Sequence, residues 1–157
     1  MTPKQRLYVR LLSIAAVVVA VDQITKQLAL EYLSDGSLEL VRGVLSLRLT
    51  YNSGGAFGFL QGVPTFFLIA SLAIVVVILV WVGRSDEGGF VVPLGLVLGG
   101  GIGNLIDRLF RGFDGQVVDF VDLHVWPVFN VADSAIVIGV LLIALASVWP
   151  SNKEIEG

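Results

Sequence analysis

The sequence predicts an all-α integral membrane protein of four transmembrane helices, with a small extracytoplasmic β-sheet between the first and second helices. Three observations carry this expectation. The 157 residues are 55% hydrophobic and only 15% charged, with a mean hydropathy of +0.87. That leaves little charge to keep the surface of a soluble domain wet. The apolar residues are also clustered. Residues 62–83, 88–106 and 134–152 hold no charged side chain, and each run reaches the roughly 18–20 residues that a helix needs to cross about 30 Å of hydrocarbon. Finally, Leu45, Leu47, Leu49 and Tyr51 alternate with Ser46, Arg48, Thr50 and Asn52, the period-two pattern of a strand with one apolar face.

The whole chain, residues 1–157, reads as one membrane domain. Helix 1 is expected over about 7–30, because its apolar core is too short unless it continues through Asp22 and Lys26. Helices 2, 3 and 4 are expected over about 65–82, 90–110 and 133–149. A sheet over about 37–52 takes a first strand from Leu38, Leu40 and Val41 and turns at Arg42-Gly43, its apolar face toward lipid or the helices. Residues 111–131 form a loop on the same side. An even number of spans puts both termini on one face, and Lys4, Arg6 and Arg10 favour the cytoplasm. The same basic flank and Val18-Val19-Ala20 could be read as a cleaved secretory signal, but three more spans make an uncleaved first helix simpler. Trp81 and Trp149 fall at helix ends, where indoles anchor in the interface. Gly95, Gly99 and Gly103 recur every four residues in helix 3, which in a membrane means close helix packing. A nucleotide-loop reading fails because no strand precedes these glycines.

Composition narrows the chemistry. There is no cysteine and one histidine, His124, so thiol nucleophiles, disulfides and histidine-rich metal sites are out of reach. No metal and no cofactor is expected. The net charge of −3 gives no reason to expect a nucleic-acid partner.

A charge inside a bilayer costs at least a few kcal/mol on insertion scales and has to be paired or used. The candidates are Asp22, Lys26, Asn104, Asp107, Arg108, Asp119 and Asp133. Asp22 and Lys26 lie four apart with the carboxylate first, the favourable order for an ion pair on one helical face. They are either a structural pair with Lys26 snorkelling outward or groups that shape a site. Asp107 and Arg108 could simply close the end of helix 3, whereas Asn104 lies deeper and should face a polar cavity. Alone, Asp133 is most simply an N-terminal helix residue favoured by the dipole, and Asp119 an ordinary loop carboxylate. Elimination raises the two together, because serine chemistry would need the lone histidine as base. Two carboxylates at one membrane boundary are the best-equipped pair that remains.

Five blocks occur in order: Asp22-Gln23-Ile24-Thr25-Lys26, Asn52-Ser53-Gly54-Gly55-Ala56-Phe57, Gly99 through Arg108, Val117-Val118-Asp119-Phe120, and Phe129-Asn130-Val131-Ala132-Asp133. Together, over about 21–138, they resemble the signature blocks of bacterial lipoprotein signal peptidase, or signal peptidase II. The resemblance implies an intramembrane aspartic endopeptidase with Asp119 and Asp133 as its catalytic dyad. Asp22, Lys26, Asn52, Asn104, Arg108 and Asn130 map onto its supporting polar residues. It implies a diacylated prolipoprotein substrate cut before the lipidated cysteine and membrane lipid as surroundings. It also implies a globomycin-type inhibitor, a place in the bacterial inner membrane, and a monomer. The segment before helix 2 resembles the family's surface β-cradle. Gly55 and Gly101 stand where the family often has alanine, and the loop over 120–128 looks shorter than in many relatives. The main rival is a proton- or ion-coupled transporter, which predicts carboxylates near the midplane and an internal repeat. Here the carboxylates cluster at one boundary and no repeat is visible. A noncatalytic scaffold, with glycines and ion pairs as packing only, is the other.

Overall fold

The computed structural model describes residues 1–54, 64–84 and 90–148; Gly55 and Trp149, singled out above, lie outside them. The order is α1 (Pro3–Tyr32), β1 (Leu38–Val41), β2 (Leu45–Asn52), α2 (Pro64–Arg84), α3 (Val91–Phe110), β3 (Val117–Asp122) and α4 (Val131–Val148). Helix α1 begins four residues before the expected start because Thr2 and Gln5 cap each other. Gln5 N donates to Thr2 Oγ1 at 3.2 Å and Thr2 N to Gln5 Oε1 at 2.8 Å, a reciprocal box that satisfies two otherwise orphaned donors. Helices α1, α3 and α4 are long and apolar enough to cross a membrane, and α2 adds a shorter apolar stretch, Leu68–Arg84.

Helix α3 is the centre. Of its most apolar window 67% is buried, against 22% for α1 and 17% for α4, so its neighbours show their outer faces to lipid. Small residues let them approach. A Cβ added at Gly99 would sit 2.8 Å from the Ala15 carbonyl oxygen and 2.7 Å from Val18 Cβ on α1, and one at Gly139 of α4 would sit 2.7 Å from the Pro93 oxygen. Such backbone-to-backbone contact is how helices associate where lipid offers no hydrophobic driving force. Leu11, Ala15, Ile78, Val82, Val91, Val97 and Leu98 form the core toward the end of the bundle that holds the N-terminus.

The strands form one antiparallel sheet in the order β1-β2-β3. Leu38 pairs with Leu47, and Thr50 with Asp119. Of the two apolar-face options, this sheet takes the helices: Leu47, Leu49 and Phe120 pack on Ala29 and Leu33 at the C-terminal end of α1. The third strand departs from expectation, since residues 111–131 read as loop. All of β3 is buried except Val121, which is half-buried, so Val117-Val118-Asp119-Phe120 carries no polar-apolar alternation to betray a strand.

Candidate active site

Asp119 and Asp133 come from different elements, one from the middle of β3 and one from the first turn of α4. Asn130, just before α4, joins them. Its Nδ2 donates to Asp119 Oδ1 at 2.6 Å. Its Oδ1 accepts from Asp133 N at 2.8 Å, and Asp133 Oδ2 accepts from Asn130 N at 3.3 Å. Asn130 is thus the cap of α4 and Asp133 its third helical residue, a capping box with aspartate in the return position. The remaining oxygens are held by two more amides. Asn52 Nδ2 donates to Asp119 Oδ2 at 2.8 Å, and Asn104 Nδ2 to Asp133 Oδ1 at 2.8 Å. Asn130 Nδ2 also donates to Asn104 Oδ1, at 3.2 Å.

The other buried acids lie against a cation at ion-pair distance. Asp22 and Asp107 each lie 2.9 Å from Lys26 Nζ, and Asp122 lies 2.9 Å from Arg48. Asp119 and Asp133 are held by amides, with the Arg108 guanidinium acting on both. Amides can orient a carboxylate but cannot neutralise it. Burial, and then the charge of Asp133, push the Asp119 carboxyl up to about 7, which favours one shared proton between neighbouring acids.

Behind the pair lies a charged cluster. Lys26 Nζ reaches Asp22, Asp107 and, at 3.0 Å, Asn104 Oδ1. Its side chain is fully buried, so it does not snorkel; three acceptors replace the water it would otherwise seek. Asp22 Oδ1 also accepts from Ala132 N at 2.9 Å, filling a free donor in the first turn of α4. Asp107 Oδ2 accepts from Val118 N at 3.0 Å, tying α3 to β3 beside Asp119. Arg108 donates through Nη1 to the Asn104 carbonyl at 3.4 Å, and the carboxylates acting on its guanidinium are, in order, Asp133, Asp119 and Asp107.

All eight sequence-predicted residues are therefore in one network. Two members escaped the sequence reading. Gln23 Nε2 reaches Asp22, the Gly103 carbonyl and Asp107, each at 3.1 Å. Arg111 Nε lies 2.7 Å from Asp107 Oδ1, and its Nη2 donates to Gln23 Oε1 at 3.0 Å. The signal available was the spacing of Asp107 and Arg111, four apart with the acid first.

Two openings reach the pair. A cavity of about 170 Å³ holds Asp119 among Thr50, Tyr51, Asn52, Pro127 and Val128. A more apolar groove of about 340 Å³ holds Asp133 among Leu123, Trp126, Phe129, Val137 and Ile138. No cluster of acids or histidine suited to a metal ion occurs among the described residues.

Comparison with known proteins places this arrangement. A family model described as Signal peptidase (SPase) II matches residues 14–149. A lipoprotein signal peptidase of Mycobacterium leprae is 41% identical over 162 aligned positions, covering 100% of this chain and 80% of that protein. One from Caldicellulosiruptor bescii is 38% identical, covering 85% and 87%. A solved bacterial membrane enzyme superposes with a TM-score of 0.77 at 32% identity, covering 90% of this chain and 94% of its own. Another gives 0.76 at 33% identity, covering 87% and 85%. With four helices, a small surface sheet and a match along most of its length, the chain belongs to the signal peptidase II family, the lipoprotein signal peptidases of bacterial membranes.

Proposed function

We propose that this protease is an aspartic endopeptidase. In this reading Asp119 and Asp133 share one proton and activate a water molecule that cuts diacylglyceryl-modified prolipoproteins just before the lipidated cysteine. The observation that carries the reading is Asn130, which bonds Asp119 with its side chain and caps Asp133, holding the two carboxylates together. The ionised aspartate takes a proton from the water, and the water oxygen attacks the scissile carbonyl. The protonated aspartate donates a hydrogen bond to the carbonyl oxygen as negative charge builds there. The proton taken up then passes to the departing amine. Asn52, Asn104 and Asn130 hold the carboxylates in place, and Arg108 supplies positive charge near both. Asp22 and Lys26 fasten α4 and α3 behind them.

The same reading makes the chain one domain acting as a monomer in the inner membrane. Both termini are cytoplasmic and the dyad lies near the outer face, where a substrate held by its own acyl chains presents the bond.

Incubation with a synthetic diacylated prolipoprotein peptide tests it, with product masses to locate the cut. Asp119→Asn and Asp133→Asn should each lower kcat by about 10³-fold or more, in line with the contribution of a general acid–base pair, while the protein still inserts and folds. Asp107→Asn should lose activity only in part, through structure, and globomycin should inhibit the wild-type protein. Full activity in either dyad variant removes the mechanism.

A further inference from the structure

Asp122 ends β3, three residues beyond Asp119, and both of its oxygens are occupied. Oδ2 accepts from Arg48 Nε at 3.0 Å and lies 2.9 Å from Arg48 Nη2. Oδ1 accepts from the backbone N–H of His124 at 2.8 Å. His124 has a φ of 61°, a left-handed conformation that side-chain-bearing residues adopt only when something holds them there. Its Nε2 lies 3.3 Å from Ser46 Oγ, and Ser46 pairs with Asp122 across the sheet. The far end of this turn is closed too. Val121 N donates to the Phe129 oxygen at 2.8 Å, and Phe129 N to the Val121 oxygen at 3.0 Å.

The loop over 123–128 is therefore pinned at both ends, and it faces two ways. Leu123 and Trp126 line the apolar groove that reaches Asp133, whereas Pro127 and Val128 line the cavity that holds Asp119. It is a ridge between the two openings.

We propose that Asp122 is a positioning residue for peptide cleavage: through Arg48 and His124 it fixes the 123–128 loop, so that Leu123 and Trp126 receive an apolar side chain of the peptide substrate beside the scissile bond. This rests on the peptidase reading above. The occupant is a side chain of the peptide because the groove is continuous with Asp133, so a group seated there is only a few bonds from the one being cut. Apart from Asp133 and Ser134 its walls are apolar, and Phe129, Val137 and Ile138 offer an alkyl group dispersion contacts.

The test is steady-state cleavage, in detergent, of diacylated prolipoprotein peptides scanned with serine for leucine at each position flanking the bond. In wild type, one position should show a KM penalty of about tenfold, the size of discrimination that an apolar pocket provides. In Trp126→Ala and in Asp122→Ala that penalty should shrink to about twofold, with kcat for the leucine peptide within about twofold of wild type, the pattern of lost uniform binding. The double variant should be no worse than either single one, because both act through the same loop. Asp122→Asn keeps an acceptor for the His124 N–H and should retain more than half of the discrimination. Arg48→Ala, at an exposed side chain, tests the ionic half should Asp122→Ala fail to fold, and should fall between. An unchanged penalty in Asp122→Ala, additive losses in the double variant, or a loss confined to kcat overturns the inference. Asp119→Asn is run alongside: cleavage by that variant removes the aspartic mechanism on which the inference rests. An inactive Asp119→Asn with unaltered discrimination in Asp122→Ala removes only the role given to Asp122.

Discussion

Lys26 shows how much a single side chain can carry. Its ammonium is fully buried and serves two carboxylates and an amide oxygen from α1 and α3. Lys26→Met would leave Asp22 and Asp107 without it, and stranding buried charges in this way costs about 3–5 kcal/mol. Thermal unfolding in detergent should show a large loss of stability, and a variant as stable as wild type would mean that the cluster is wetter than its geometry implies. Asp119 makes a prediction of opposite character. Its carboxyl is raised from 3.8 to about 7, first by burial and then by Asp133. A group raised on folding binds more protons in the native state, so its contribution is fully present below about pH 4 and is lost as pH rises through about 7. The loss is on the order of a few kcal/mol. Asp119→Asn cannot ionise, although it turns an amide toward one of the two donors, Asn52 or Asn130. Its melting temperature relative to wild type should climb steadily between pH 4 and pH 8. Parallel curves for the two proteins would show that Asp119 titrates as an ordinary carboxylate.

Among the helices, the glycines of α3 divide by what they face. A Cβ at Gly99 would meet Ala15 backbone atoms within 2.9 Å, whereas one at Gly101 finds only Val75 Cγ2, at 3.7 Å. Gly99→Ala should therefore cost about 1–3 kcal/mol, as overpacking does. Gly101→Ala should be neutral or gain up to about 1 kcal/mol from the better helix former. Differential scanning of the two variants checks both signs, and equal effects would mean that α1 does not approach as closely as described. The four-residue spacing made this face legible in advance, and period-two alternation did the same for β2, since its register depends on which side chains turn inward. Strand β3 was not legible. With nearly every residue buried, it offers neither period, and what makes it a strand is pairing with β2, a partner some 70 residues earlier in the chain. The site shows the same division. Asp22, Lys26 and Asp133 stood out as charges in or beside apolar runs. Gln23 and Arg111 did not, because neither is unusual locally and their meeting depends on how α1 lies against α3.

Across the bundle, orientation is open to direct measurement, because the chain has no cysteine of its own. Gln5→Cys, in the first turn of α1, and Ser37→Cys, just before β1 beyond its other end, place single thiols at exposed positions. A membrane-impermeant maleimide applied to intact cells should label the Ser37→Cys protein and leave the Gln5→Cys protein until the membrane is opened. The reverse pattern would put the dyad on the cytoplasmic side. One contact reaches further than its distance suggests. Asp22, delivered early in synthesis, holds the first turn of the last helix through Ala132. During translation that carboxylate must wait beside Lys26 while more than 100 residues are made, and Asp133 arrives only with the helix it secures. On the proposed mechanism an unfinished chain, lacking Asp133, is chemically silent, and a half-built blade cannot cut.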